Sequence, residues 1–383
     1  MGKVVIRPCG EYTEECCRAA LLSALEPFGG LSWVREGMKI AIKANLITAL
    51  KPEAAATTHP ALLAALVRLL AEKGAEVRVG DSPGGVFSKA YVEHVYSVCG
   101  LEAVKEAGGS LNGDYSVKEC FDPDCKTLKS FTYTGWLDWA DVILSFSKLK
   151  VHAMMSMTAA TKNLFGCIPG AVKAEYHYRF PEYRDFADML VDLNVHFKPY
   201  LHFCDAVTGM EGNGPTQGTP RHLGALLVSQ DPFALDLAAA RLIGLTKGDV
   251  PYLEAAYERG LMPAAAEDLD VDGDPEAFLA PDFRHVGNAL DLTALVGGNS
   301  GMGRFFRKVL GRMLQADPKL ERASCVGCGV CARSCPAKAI EIRDRKARID
   351  RNLCIRCFCC QELCPKGAMK VHRPLAARIA GKL

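Results

Sequence analysis

The chain has 383 residues, 49 % of them apolar, with 46 Lys and Arg against 44 Asp and Glu for a net charge of +2. This suits a globular protein of two or three domains with a sizeable core. It excludes a membrane-spanning protein: no apolar run approaches the ~18–20 residues a span needs, and the best, residues 61–70, is cut by Arg68.

Residues 1–8 lack the long apolar stretch of a signal peptide. Seventeen cysteines without such a leader point to a reducing, anaerobic cytoplasm rather than to a disulfide scaffold. From residue 1 to about 290 the pattern alternates helix and strand. Residues 14–26 read as an amphipathic helix and 38–46 as a strand. A helix over 61–73 opens on Pro60 and stops at Gly74. Residues 76–80 form the next strand, and helical segments run to about residue 107. Strands follow at 127–133, 140–146, 200–205 and 223–229, with a helix over 183–196 and another from Asp231-Pro232 to residue 243. Such alternation predicts an α/β domain: a mostly parallel sheet with helices on both faces.

In such sheets the ligand site lies at the carboxyl ends of the strands. Several strands here run directly into polar groups. The strand near 38–42 leads to Lys43 and Asn45, and 76–80 leads to Asp81 and Ser82. Strand 140–146 leads to Lys148, Lys150 and His152. Strand 200–204 leads to Asp205 and a Gly-rich loop with Glu211 and Asn213. Asn163, Lys162, Lys173 and His177 belong to the same set. A cleft of Lys, His, Asn and Asp suits a polar, anionic small molecule. His152, Lys162 and His177 are the candidate catalytic groups, because imidazole moves protons near neutrality and an ammonium stabilises developing negative charge.

Other motifs carry less. Asp81-Ser82-Pro83-Gly84-Gly85 matches neither the Walker nor the dinucleotide fingerprint. Asp268-x-Asp270-x-Asp272-Gly273 begins like an EF-hand loop, but its twelfth position is Leu279, so it reads as an acidic surface loop. Residues 291–317 read as a connector with a basic helix, and residues 374–383 as a basic tail.

Residues 318–373 read as a separate small α+β domain built for two clusters. Two copies of one spacing stand there: Cys325-x2-Cys328-x2-Cys331-x3-Cys335-Pro336 and Cys354-x2-Cys357-x2-Cys360-x3-Cys364-Pro365. In this pattern the fourth Cys of each run ligates the other cluster. One [4Fe–4S] cluster therefore takes Cys325, Cys328, Cys331 and Cys364, and the second takes Cys354, Cys357, Cys360 and Cys335. Structural zinc is the competing reading of paired Cys-x2-Cys. Cys359 falls outside the register and reads as a small residue packed beside a cluster. Residues 339–342 and 346–350 alternate apolar and polar as a small hairpin does. Residues 318–383 hold 15 Lys or Arg and 5 Asp or Glu. With no nucleic-acid recognition motif beside it, that charge suits docking onto the acidic body or an acidic redox partner.

The C-terminal segment resembles the bacterial ferredoxins. Lys148-Leu149-Lys150-Val151-His152, Thr161-Lys162-Asn163-Leu164-Phe165-Gly166, Glu211-Gly212-Asn213-Gly214-Pro215 and Asp231-Pro232-x-Ala234-x-Asp236 resemble the domain of unknown function 362 family. Gly80-Asp81-Ser82-Pro83 fits too. Lys43-Ala44-Asn45 resembles the family's Lys-Pro-Asn element, with Ala44 in place of Pro. The resemblance implies the fold and, in many members, a two-cluster ferredoxin segment. It implies no settled activity or substrate.

The residues themselves favour a ferredoxin-type reductase, in which two [4Fe–4S] clusters pass low-potential electrons to a bound small molecule. The alternative is an electron-transfer or maturation adaptor whose larger domain docks a partner protein. Non-redox chemistry beside structural clusters is a third reading.

Overall fold

The computed structural model describes residues 2–285 and 316–372. The connector helix and the basic tail expected from the sequence lie outside these residues.

The central sheet is mixed and mostly parallel. Its strands are β1 (Val4–Pro8), β2 (Lys39–Lys43), β3 (Glu76–Gly80), β4 (Ser110–Leu111), β7 (Val142–His152), β9 (Leu201–Glu211), β10 (Thr219–Ser229) and β11 (Val271–Asp272). Their order across the sheet is β11-β1-β10-β9-β7-β2-β3-β4, and β8 (Ser156–Thr158) pairs onto the end of β7. Strands β9, β7, β2, β3 and β4 run parallel. On the other side β10 is antiparallel to both β9 and β1. The reason is the short connection 212–218, which can close a hairpin but cannot make the crossover that a parallel partner needs. A separate ribbon pairs β5 (Val117–Phe121) with β6 (Ser130–Thr134), so the strand expected at 127–133 exists but stands outside the main sheet.

Alternation along each strand sorts side chains into two cores. Ile40 and Ile42 of β2 face the core filled by helices α1 (Glu14–Leu25), α2 (Pro60–Ala71) and α3 (Lys89–Val98). Ala41 faces the opposite core, where α7 (Tyr183–Phe197), α8 (Pro232–Leu242) and α9 (Pro251–Glu258) pack. Leu226 and Val228 against Ala225 and Leu227 repeat this on β10. The helix starts are fixed locally. Thr13 accepts the Cys16 N–H to cap α1, and Asp231 accepts those of Phe233 and Ala234 to cap α8, with Pro232 in its first turn.

The small domain folds as two hairpin-like pairs, β12 (Asp317–Leu320) with β15 (Met369–His372), and β13 (Ile340–Arg343) with β14 (Lys346–Ile349). It sits on the larger domain at the carboxyl ends of the parallel strands. Phe358, 1 % exposed, belongs to the core of the α7 face. Gln361 Nε2 donates to Asn213 O at 3.1 Å.

Candidate functional site

A cavity of about 370 Å³ lies where the two domains meet. Its floor comes from the strand ends: Lys43 at the end of β2 and Asn45 just beyond it, Asp81 and Ser82 after β3, Lys150 on β7 and Thr158 on β8. One side comes from α5 (Ala160–Asn163), with Lys162 and Asn163, and α6 (Lys173–Arg179), with Lys173 and His177. Arg333, Ser334, Cys359, Glu362 and Leu363 of the small domain complete the wall.

The floor is a connected hydrogen-bond network. Lys43 Nζ lies 2.8 Å from Asp81 Oδ1 and donates to Asn163 Oδ1 at 3.0 Å. Asp81 also accepts the N–H groups of Leu46 and Ser82, at 2.7 and 2.8 Å. Asn163 donates in turn to Lys43 O and to Ser145 Oγ. Lys150 Nζ donates to Asn45 Oδ1 at 2.7 Å and Ala56 O at 2.6 Å. Burying ions at this density requires such pairing. It also requires Gly166: a Cβ there would stand 2.2 Å from both Asp81 Oδ1 and Lys43 Nζ. Asp236 on α8 accepts the Ala160 and Thr161 N–H groups at 2.7 and 2.9 Å and so fixes the start of α5.

Five cations (Lys43, Lys150, Lys162, Lys173 and Arg333) line the cavity against two carboxylates, Asp81 and Glu362. Burial pushes Lys150 down to about 7, with help from the Lys162 charge. Lys173 is likewise pushed to about 7 by burial, although Asp81 opposes the shift. Lys162 is lowered by burial, partly offset by Glu362. Its ammonium sits 5.7 Å over the Phe165 ring. The buried atoms Ser82 Oγ, Thr158 Oγ1 and His177 Nδ1 have no hydrogen-bond partner among the described residues. Such groups are costly unless a ligand or water meets them. His177 stacks on Phe186 with ring centroids 4.4 Å apart, and burial lowers it to about 3.

His152 lies fully buried behind the cavity wall. Its Nδ1 accepts the N–H groups of Met154 and Met155, at 3.1 and 3.2 Å. The proton therefore sits on Nε2, which lies 2.9 Å from Glu362 Oε1. Burial, and then the Lys162 charge, push His152 down to about 4. Burial alone would raise Glu362, but His152 and Lys162 pull it down to about 2. A neutral imidazole thus faces, at 2.9 Å, a carboxylate carried by the cluster-binding segment.

Nine of the expected residues meet at this cavity: Lys43, Asn45, Asp81, Ser82, Lys150, Lys162, Asn163, Lys173 and His177. Five do not line it, His152 behind the wall being the first. Lys148 and Asp205 pair at 2.8 Å within the β7–β9 ladder, because β9 continues past Asp205 to Glu211 instead of ending there. Tyr12 and the His59 N–H complete that cluster on Asp205. Glu211 binds Arg284 at 2.7 Å, and Asn213 Oδ1 accepts the Val371 N–H at the domain junction. Glu362, Cys359 and Arg333 were not singled out as cavity residues from the sequence. The usable signal was the position of Cys359 and Glu362 beside Cys360 on one helical turn.

The eight motif cysteines all lie in the small domain. The groove bounded by Cys325, Cys328 and Cys331 is closed by Cys364. Cys357, Cys354, Cys331 and Cys335 all lie close enough to Cys360 for their charges to act on it. The two copies match in backbone detail. Gly327, Gly329 and Lys338 have φ of 69°, 78° and 51°, and their counterparts Arg356, Phe358 and Gly367 have 57°, 62° and 57°. The Ala339 N–H donates to Cys335 Sγ and the Ala368 N–H to Cys364 Sγ, both at 3.2 Å. Such N–H···S bonds tune cluster potentials. In a four-iron cluster each thiolate takes its own iron, and this donor set fits that group.

Residues 40–241 match the model of the domain of unknown function DUF362, and residues 324–368 match a 4Fe-4S dicluster domain. The chain is 33 % identical over 251 residues to a thylakoid-associated protein of Synechocystis sp., covering 65 % of this chain and 77 % of that one. A solved structure of the lactate racemase apoprotein from Thermoanaerobacterium thermosaccharolyticum aligns with 12 % identity and a TM-score of 0.36, over 57 % of this chain and about half, 54 %, of that protein. At that score the likeness carries no argument. No described helix is long and apolar enough to cross a membrane. The DUF362 model covers more than half of the sequence, and the chain belongs to the DUF362 family, carrying a 4Fe-4S dicluster domain at its C-terminal side.

Proposed function

We propose that this protein is an iron–sulfur oxidoreductase that reduces a small anionic molecule bound in the cavity between its domains. Cys325, Cys328, Cys331 and Cys364 would hold one [4Fe–4S] cluster, and Cys354, Cys357, Cys360 and Cys335 the other. Bound there, the clusters supply low-potential electrons.

One observation carries the reading. The helical turn that holds Cys360 also presents Cys359 and Glu362 to the cavity. Substrate pocket and cluster loop therefore share a wall, and an electron has a short way to travel. The chain's own groups cover the rest. Lys162 and Lys173 attract and orient the anion. Ser82, Thr158 and His177 offer unpaired polar atoms to it. Lys150 and Lys173, held near neutrality by burial, can give up protons as negative charge develops. His152 keeps Glu362 in place and anionic. A reducing cytoplasm is the setting that suits seventeen thiols.

The adaptor reading calls for a broad exposed apolar face. The cation-rich cavity where the domains meet favours the reductase instead. The test uses protein purified without oxygen. About eight irons and eight sulfides per chain are expected, with rapid reoxidation of the reduced protein by one class of small anion. Reoxidation by protein fractions alone would favour the adaptor, and a zinc-loaded chain without sulfide would overturn both.

A further inference from the structure

The two cluster-binding loops are alike in sequence and backbone, yet the fold turns one inward and the other outward. In the second copy, Cys357, Phe358 and Cys359 are buried against the larger domain, at 8 %, 1 % and 7 % exposure. The residues in the same places of the first copy are Cys328, Gly329 and Val330. Cys328 is exposed, and the other two are half-buried. Val326 beside it is 52 % exposed, while its counterpart Ile355 is half-buried.

The surface around the first loop has an apolar centre and a basic rim. Val326, Ile342 and Pro365 surround the groove of Cys325, Cys328, Cys331 and Cys364, and Lys366 stands at its edge. Arg333 Nη1 donates to Cys328 O at 3.2 Å. Lys346 Nζ donates to Cys325 O at 2.6 Å and to Arg322 O at 2.8 Å, which places Arg322 and Lys346 against the same loop. The backbone of Arg345 packs directly on Gly327. The nearby carboxylates are Glu321, bound by Ser324 Oγ, Asp344, paired with Arg348 at 2.9 Å, and the exposed Glu341. A small apolar contact ringed by cations is the design of a transient, electrostatically steered encounter.

We propose that this face is the port through which electrons enter, and that it docks a small acidic iron–sulfur carrier protein. With its cluster bound, the outward loop would take one electron from the carrier, which would be oxidised by that one electron. No bond is made or broken and no proton moves. The inward loop, whose helical turn walls the cavity, then lies on the exit side. The inference rests on the cluster assignment proposed above but not on what the cavity binds.

The probe is a purified acidic ferredoxin. Its complex with the iron-loaded protein is measured by calorimetry in the oxidised state, and its rate of electron delivery by stopped flow after reduction. Binding and rate should both fall steeply as salt is raised to about 0.5 M. The double variant Arg322→Glu, Lys366→Glu should weaken both by about tenfold or more, with iron content and visible absorbance unchanged. Lys89→Glu, on α3 of the larger domain, should change neither. No binding at low salt, a salt-independent rate, or an equal loss in Lys89→Glu would overturn the proposal. So would a wild-type dimer in sedimentation that the double variant dissociates, because the face would then belong to a second copy. A chain lacking iron and sulfide would instead defeat the cluster assignment itself.

Discussion

His152 Nε2 lies 2.9 Å from Glu362 Oε1, and this contact joins the end of β7 to the cluster-binding segment. Neither partner reaches bulk water freely, since His152 is fully buried and Glu362 lies half-buried in the cavity wall. The contact links the two domains and holds one face of the cavity at the same time.

The buried imidazole sets an acid limit on stability. Burial lowers His152 from 6.5 to about 4. Between those values the unfolded chain binds the proton and the folded chain does not. Stability therefore rises with pH through this window and is lost as pH falls below 6.5. The drop attributable to His152 is on the order of 3 kcal/mol. His177 and His202, each lowered to about 3 by burial, act in the same direction. Urea unfolding at a series of pH values checks this. His152→Gln should flatten part of the slope, and an unchanged slope would count against a neutral His152.

Anion binding should have the opposite pH trend. Lys150 and Lys173 carry their charge below about 7 and lose it above. Affinity for an anionic ligand should fall as pH rises from about 6 to 9, as measured by calorimetry with the anion that reoxidises the protein. Lys173→Met should weaken binding and make the remaining pH dependence shallower.

Gly166 is where the floor of the cavity tolerates no side chain. A Cβ would collide with Lys43 Nζ and Asp81 Oδ1, both 2.2 Å away. Gly166→Ala should separate that ion pair and cost on the order of 2 kcal/mol in urea unfolding. The same change at Gly113, which has open space around its Cβ position, should cost far less.

Cys359 and Cys360 are adjacent but assigned to different tasks. Cys359→Ala should keep about eight irons per chain while slowing reoxidation by the anion. Cys360→Ser should lose or convert one cluster, visible as a fall in iron and sulfide. Equal iron loss in both variants would show that Cys359 is a ligand.

Much of this was legible in the sequence because it rests on local chemistry. The cysteine spacing marks a 4Fe-4S dicluster domain, and the polar residues directly after residues 42 and 80 mark strand ends. Strand lengths were less legible. β7 and β9 each run to eleven residues, so Lys148 and Asp205 sit inside a ladder and satisfy each other instead of facing a ligand. The antiparallel pairing of β1 with β10 joins Val4 to Ser229, a separation that no local periodicity encodes. Glu362 was hidden for a similar reason. Its role comes from docking one domain on the other, which brings it to His152 across 210 positions of sequence.

The most direct test compares single-turnover reoxidation of the reduced protein by its small anion in the wild type and in Lys162→Ala. Lys162 lines the cavity and ligates nothing, so iron and sulfide should be the same in both. If electrons leave through the cavity, the variant should reoxidise about 100-fold more slowly at equal cluster content. Equal rates in the two proteins would contradict the account, because the anion would then be taking its electrons somewhere other than the cavity.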